Sequence, residues 1–87
     1  MQADHQWVNH QLKIAQGQIS GLLKMVEEDA YCMDISNQIL ACIAVLKKTN
    51  AAVLSAHMEH SVFEASGKEK AKEKLKEIES LLVKLTD

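Results

Sequence analysis

The sequence predicts an all-α protein, a three-helix chain with a long central helix. Three observations predict it. Its 87 residues include no proline and only three glycines, so long stretches carry no helix breaker. Apolar residues, 47% of the chain, recur in alternating steps of three and four, the period of one helix face. Aromatic residues make up only 3%, which favours uninterrupted helix over turn-rich sheet.

The first helix is expected over about 4–28. Val8, Leu12, Ala15, Ile19, Leu22 and Val26 form its seam. It should end near Glu27-Glu28-Asp29, with Asp29 or Asp34 serving the N–H groups at the next helix start. The second helix is expected over about 31–63, with no Gly or Pro inside it. Ile35, Ile39, Cys42 and Leu46 make one seam, and Leu40, Ile43, Leu54 and His57 a neighbouring one. A helix with two apolar seams needs two partners: the first helix can cover one, and a second copy of the chain the other. Ser66-Gly67-Lys68-Glu69 fits the S-x-x-E capping box. It introduces a third helix over about 68–85 with Ala71, Leu75, Ile78, Leu82 and Leu85 on one side and a solvated Lys/Glu face on the other. With no repeat and no linker, residues 1–87 read as a single helical domain. A chain this short buries roughly 60–70% of its unfolded surface, and oligomerisation is a standard remedy for so small a core.

The formal charge is −2 and the sequence contains no arginine. A nucleic-acid-binding chain is usually more basic, so any phosphate contact falls to lysines, amides, hydroxyls or backbone N–H groups. Residues 1–11, MQADHQWVNHQ, lack the apolar core of a secretory signal. No apolar run approaches the roughly 20 residues of a membrane span. The expectation is a cytoplasmic protein with no membrane partner and with both thiols reduced.

Cys32, His57 and His60 are the candidate metal ligands, with Ser61 and His5 as weaker ones. A thiolate with imidazoles suits copper(I), zinc, nickel or cobalt. His57 lies three residues before His60 and four before Ser61, so the three can share a helix face. Cys32 lies 25 positions before His57, roughly 38 Å along one helix. Two antiparallel copies of that helix would bring the Cys32 of one to the His57 of the other, giving two equivalent sites. As a helix-start residue Cys32 is either an ordinary position or a reactive thiol. Cys42, mid-helix on an apolar seam, reads as an inert core thiol. Tyr31 is either a packing anchor or a hydroxyl placed behind the ligands, and His10 a surface histidine. An enzyme has little support: no third group orients a thiol nucleophile, and there is no Gly-rich loop.

Gly17-Gln18, Met25-Val26-Glu27-Glu28-Asp29, Tyr31-Cys32, Gln38-Ile39 and His57-Met58-Glu59-His60-Ser61-Val62 together resemble the CsoR/RcnR/FrmR family of bacterial repressors over about residues 8 to 64. The resemblance implies a disc-like tetramer, a dimer of dimers without a helix-turn-helix. It implies an apo form that binds operator DNA and an inducer that releases it. The family's cysteine falls on Cys32 and its histidine on His57, contributed by different subunits. The chain also departs from the pattern. Copper sensors of this type carry a cysteine where Ser61 stands, and nickel and cobalt sensors a histidine there, whereas this chain has His60 one residue earlier. Formaldehyde sensors carry proline where this chain has Gln2. Arginines usual in the family are replaced by Gln11, Ile14 and Ile43. DNA contact would then rest on Lys13, Lys24, Lys47 and Lys48, with Gln16 and Gln18 as polar contacts, and would be strongly salt-dependent. The implied function is a metal-responsive repressor. The alternatives are an aldehyde or electrophile sensor acting through Cys32, or a helical metal-binding module that has lost DNA binding.

Overall fold

The computed structural model describes the backbone of residues 1–64 and 68–86 and the side chains of residues 1–61, 72–81 and 83–84. Three helices account for it: α1 (His5–Glu27), α2 (Cys32–Glu64) and α3 (Lys68–Thr86). There is no strand among the described residues. The Ser66-Gly67 part of the expected capping box lies outside them. The chain divides into two compact units, one of His5–Thr49 and one of Met1–Asp4 with Asn50–Asp87.

In the first unit, α1 and the opening half of α2 form a helical hairpin closed by backbone bonds. Asp29 takes a left-handed conformation, φ 53°. Its N–H donates to the Val26 carbonyl at 3.1 Å, and the next N–H, of Ala30, reaches back to the Met25 carbonyl at 2.9 Å. This pair of bonds is the Schellman motif, usually built on glycine and open to a short polar side chain. Tyr31 then starts α2, its carbonyl accepting from the N–H groups of Asp34 at 3.0 Å and Ile35 at 3.1 Å. Asp34 sits in the first turn of α2 and Lys24 in the last turn of α1, each complementing its helix dipole.

The inner face of the hairpin keeps the expected Val8, Ala15, Leu22, Ile35 and Cys42 and departs from the expected seams by one residue at the other positions. On α1 the covered stripe is Val8, Gln11, Ala15, Gln18, Leu22 and Met25, while Leu12, Ile19 and Val26 stay exposed. On α2 it is Ile35, Gln38, Cys42, Val45 and Thr49, while Ile39 and Leu46 stay exposed. Two stripes one residue apart have the same three-four spacing, so periodicity alone cannot say which faces the first partner. Packing is closest where residues are small. Ala15 and Cys42 are both buried, and the Cys42 thiol points its weak donor at the Ala15 carbonyl, 3.9 Å away. Thr49 is buried and its hydroxyl donates to the Val45 carbonyl at 2.7 Å, so this polar group enters the interface satisfied. The Gln18 side-chain oxygen is buried without a partner. The displaced residues Leu12, Ile19 and Leu46 line an apolar groove of about 460 Å³ with Ala15, rimmed by Asn9, Lys13, Gln16 and Ser20.

In the second unit, the closing half of α2 turns partly covered Ala52, Val53, Leu54, Ala56, His57 and Met58, and buried Ser61, away from solvent. α3 contributes Ile78, which is buried, with Lys74 and Leu81 partly covered. Leu75, expected inside, is exposed, the same one-residue offset as in α1. Ala71, Leu82 and Leu85 lie outside the described side chains.

The stretch Cys32–Ser61 of α2 is long and apolar enough to cross a membrane by length and composition, with mean hydropathy 1.5. The expectation that no stretch approached a span counted only uninterrupted apolar runs. An average over a window tolerates the scattered Ser, Asn, Gln and Lys of this helix.

Candidate functional site

The best-defined polar cluster is at the end of α2. His57 Nε2 lies 3.2 Å from Glu77 Oε1 on α3 and 3.3 Å from Ser61 Oγ, one turn further along α2. A carboxylate can only accept, so the proton between His57 and Glu77 is on Nε2. Ser61 Oγ is then a second acceptor on the same N–H. In the neutral ring this fixes the tautomer with Nδ1 bare, the arrangement that second-shell acceptors impose on metal-binding histidines. Glu77 is itself held from behind, its Oε2 lying 3.6 Å from Lys74 Nζ one turn away on α3. His57 and Glu77 side chains are each a little under half exposed, so the ring is oriented yet still open to a ligand. His60 is exposed, three residues after His57. Ser61, a weaker candidate ligand, is buried with its hydroxyl on the His57 ring.

At the start of α2, Cys32 is the first helical residue and an exposed free thiol. Tyr31 caps the helix through its carbonyl and its side chain is exposed. His5, the first residue of α1, and His10 are also exposed. Cys42 is a buried free thiol in the hairpin. Among the described residues, no three His, Cys, Asp or Glu side chains gather into a metal-holding group.

The candidate DNA contacts Lys13, Lys24, Lys47 and Lys48 are all exposed in the first unit. Gln18 instead lies on the covered stripe with its oxygen buried. Two residues escaped the sequence reading. Glu77 is one acid in a Lys/Glu helix, and nothing in that alternation marks the carboxylate that meets a histidine 20 residues earlier. Trp7 meets Lys48, whose Nζ is 5.9 Å from the centre of the indole. The usable signal for Trp7 was that it is the sole tryptophan, placed one residue before the first buried position of α1.

The profile of the metal-sensitive transcriptional repressor family matches residues 4–84. The chain is 40% identical over 58 residues to the copper-sensing transcriptional repressor CsoR of Bacillus subtilis (strain 168), covering 67% of this chain and 57% of that protein. It is 37% identical over 54 residues to the copper-sensing transcriptional repressor RicR of Mycobacterium tuberculosis (strain ATCC 25618 / H37Rv), covering 62% and 56%. The chain thus spans about half the length of the curated relatives it matches. Its fold is that of the nickel-responsive transcriptional regulator InrS, with a TM-score of 0.80 and 24% identity over 98% of this chain and 96% of that one. The chain belongs to the family of metal-sensitive transcriptional repressors.

Proposed function

We propose that the chain is a cytoplasmic, metal-responsive transcriptional repressor, a dimer of dimers whose apo form holds operator DNA. The observation that carries the reading is His57, held through Nε2 by Glu77 and Ser61, which leaves Nδ1 as the ring nitrogen without a protein partner for a ligand to use. Cys32 of one subunit and His57 of another would hold a copper(I), nickel, cobalt or zinc ion, with His60 as a helper and His5 and Ser61 as weaker contributors. The donor set fits: a thiolate and an imidazole suit these ions, and the thiol is exposed while the imidazole is pre-oriented. When bound, the ion supplies a link between two chains that neither residue makes alone.

The rest follows from the chain's own contacts. Glu77 ties the His57 ring to α3, so any reorientation of the ring is felt by α3. The exposed stripes Leu12, Ile19, Val26, Ile39 and Leu46 support assembly, because a helix pair leaves them uncovered and a second copy would cover them. A ligand that fixes one arrangement of the subunits shifts the population toward it, and with it the affinity for DNA. Tyr31 beside Cys32 would be the nearest hydroxyl to the thiol's end of the site.

Anaerobic titration of the reduced protein with copper(I), nickel(II), cobalt(II) and zinc(II), followed by ultraviolet–visible absorption, tests the reading. A sulfur-to-metal band at one ion per chain, lost in Cys32→Ala and kept in Cys42→Ala, is the expected result. If no ion binds through Cys32, metal sensing is refuted and the Cys32 thiol is left as an electrophile sensor.

A further inference from the structure

We infer that Trp7 is a positioning residue for phosphate: its indole holds Lys48 as a ready-set contact for the backbone of a nucleic-acid duplex. The inference rests on the repressor reading and deepens it by assigning one contact and the residue behind it.

The chain has no arginine, so cationic contact with phosphates falls to lysines. A lysine is poorly suited to it when unsupported. Its ammonium is a point charge on a flexible four-carbon stem, and ordering that stem on binding is among the larger side-chain entropy costs. Lys48 is supported. Its Nζ lies 5.9 Å from the centre of the Trp7 ring, inside the reach of about 6 Å over which the ring's negative face attracts a cation. The contact uses the ring's electrostatic face and no acceptor atom, so the three N–H donors of the ammonium remain available.

Both partners stand on fixed ground. Trp7 is partly covered in the first turns of α1, one residue before buried Val8. Lys48 is exposed and precedes Thr49, which is buried and bonded to the Val45 carbonyl, so the α2 backbone beneath the lysine is held. Lys47 lies about 100° around the helix from Lys48 and does not share the ring. Among the described residues, Lys48 is the lysine placed over an aromatic face.

The test is fluorescence anisotropy of a labelled duplex from the region upstream of the chain's own coding sequence, at a series of salt concentrations, with wild type, Lys48→Ala, Trp7→Phe and Trp7→Leu. Lys48→Ala should flatten the fall of log K with log salt by about 0.9 for each contacting copy. Trp7→Leu keeps apolar bulk but loses the ring. It should weaken binding about 2- to 5-fold per contributing copy with the salt slope unchanged, because the charge is still there. Trp7→Phe should retain most of the affinity. Trp7, the only tryptophan, should change its emission when the duplex is added to wild type, and should not in Lys48→Ala. Wild-type affinity in Trp7→Leu, or equal weakening in Trp7→Leu and Trp7→Phe, overturns the inference and leaves the repressor reading standing. If Trp7→Leu does not fold by circular dichroism, the emission response decides alone, and a silent Trp7 overturns the inference. A wild type that binds no duplex even at low salt overturns the repressor reading and this inference with it.

Discussion

Replacing Ile19 by aspartate should take the proposed assembly apart while leaving the chain helical. Ile19 and Leu12 are each 48% exposed and Leu46 is 40% exposed, and all three line one groove on the helical hairpin. Complete burial of a Leu or Ile side chain stabilises by about 1.5–3 kcal/mol, so each of these retains about 1 kcal/mol to be gained from a partner. Three of them give about 3 kcal/mol per copy, and a two-fold interface doubles it to about 6 kcal/mol. Ile19→Asp removes about 2 kcal/mol of that across the pair and sets a carboxylate in an apolar contact twice. Burying two unpaired carboxylates brings the loss to about 4 kcal/mol or more, a thousandfold in the dissociation constant. Ile19 lies off the covered stripe between α1 and α2, so circular dichroism should show wild-type helix content. Sedimentation equilibrium from micromolar to millimolar chain is the assay. A variant with the same mass distribution as wild type would refute the assignment of this groove to a second copy.

Glu77→Gln should lower metal affinity about 10-fold by competition with a chelator. Partners of ligating histidines are worth about 10–100-fold, and the half-exposed His57–Glu77 pair belongs at the low end; unchanged affinity would show that the contact does not orient His57. Asp29→Gly should raise stability by about 0.5–1 kcal/mol, read as a higher urea midpoint, because glycine takes the left-handed conformation at φ 53° without steric cost; a lower midpoint would contradict the backbone assignment. Cys42→Ala should cost about 1 kcal/mol of stability, since one buried sulfur is lost from the contact with Ala15; a loss of metal binding instead would make Cys42 a ligand.

The order and type of the elements were legible because each helix carries a sustained three-four pattern and no proline interrupts it. The side that turns inward was not. Gln11 and Gln18 are covered while Leu12 and Ile19 are left out, an assignment that runs against hydrophobicity unless the apolar stripe has a partner of its own. Cys32 and His57 were chosen from residue chemistry and spacing, and what the structure adds is their places: an exposed thiol at the first turn of α2 and a half-exposed ring near its end. The orientation of His57 was not, because it is set by Glu77 from a helix whose charges all look alike in sequence. The short turn between α1 and α2 was visible as an acidic break. That its bonds are entirely backbone, with an aspartate where glycine is usual, could not be read from composition.

That turn also has a consequence for folding, expected from loop-closure entropy. Met25 and Ala30 are joined within the turn, Ala15 and Cys42 meet next across a separation of 27 residues, and Trp7 and Lys48 meet last at the open end. Each contact, once made, shortens the loop that the following one must close, so the hairpin zips outward from Asp29 and long-range closure entropy is met in small steps. Substitutions at the turn should therefore change the rate of folding, and those at the Trp7 end the rate of unfolding. In the proposed assembly, chains formed this way would be complete hairpins before they meet, leaving bimolecular docking as the slow, concentration-dependent step.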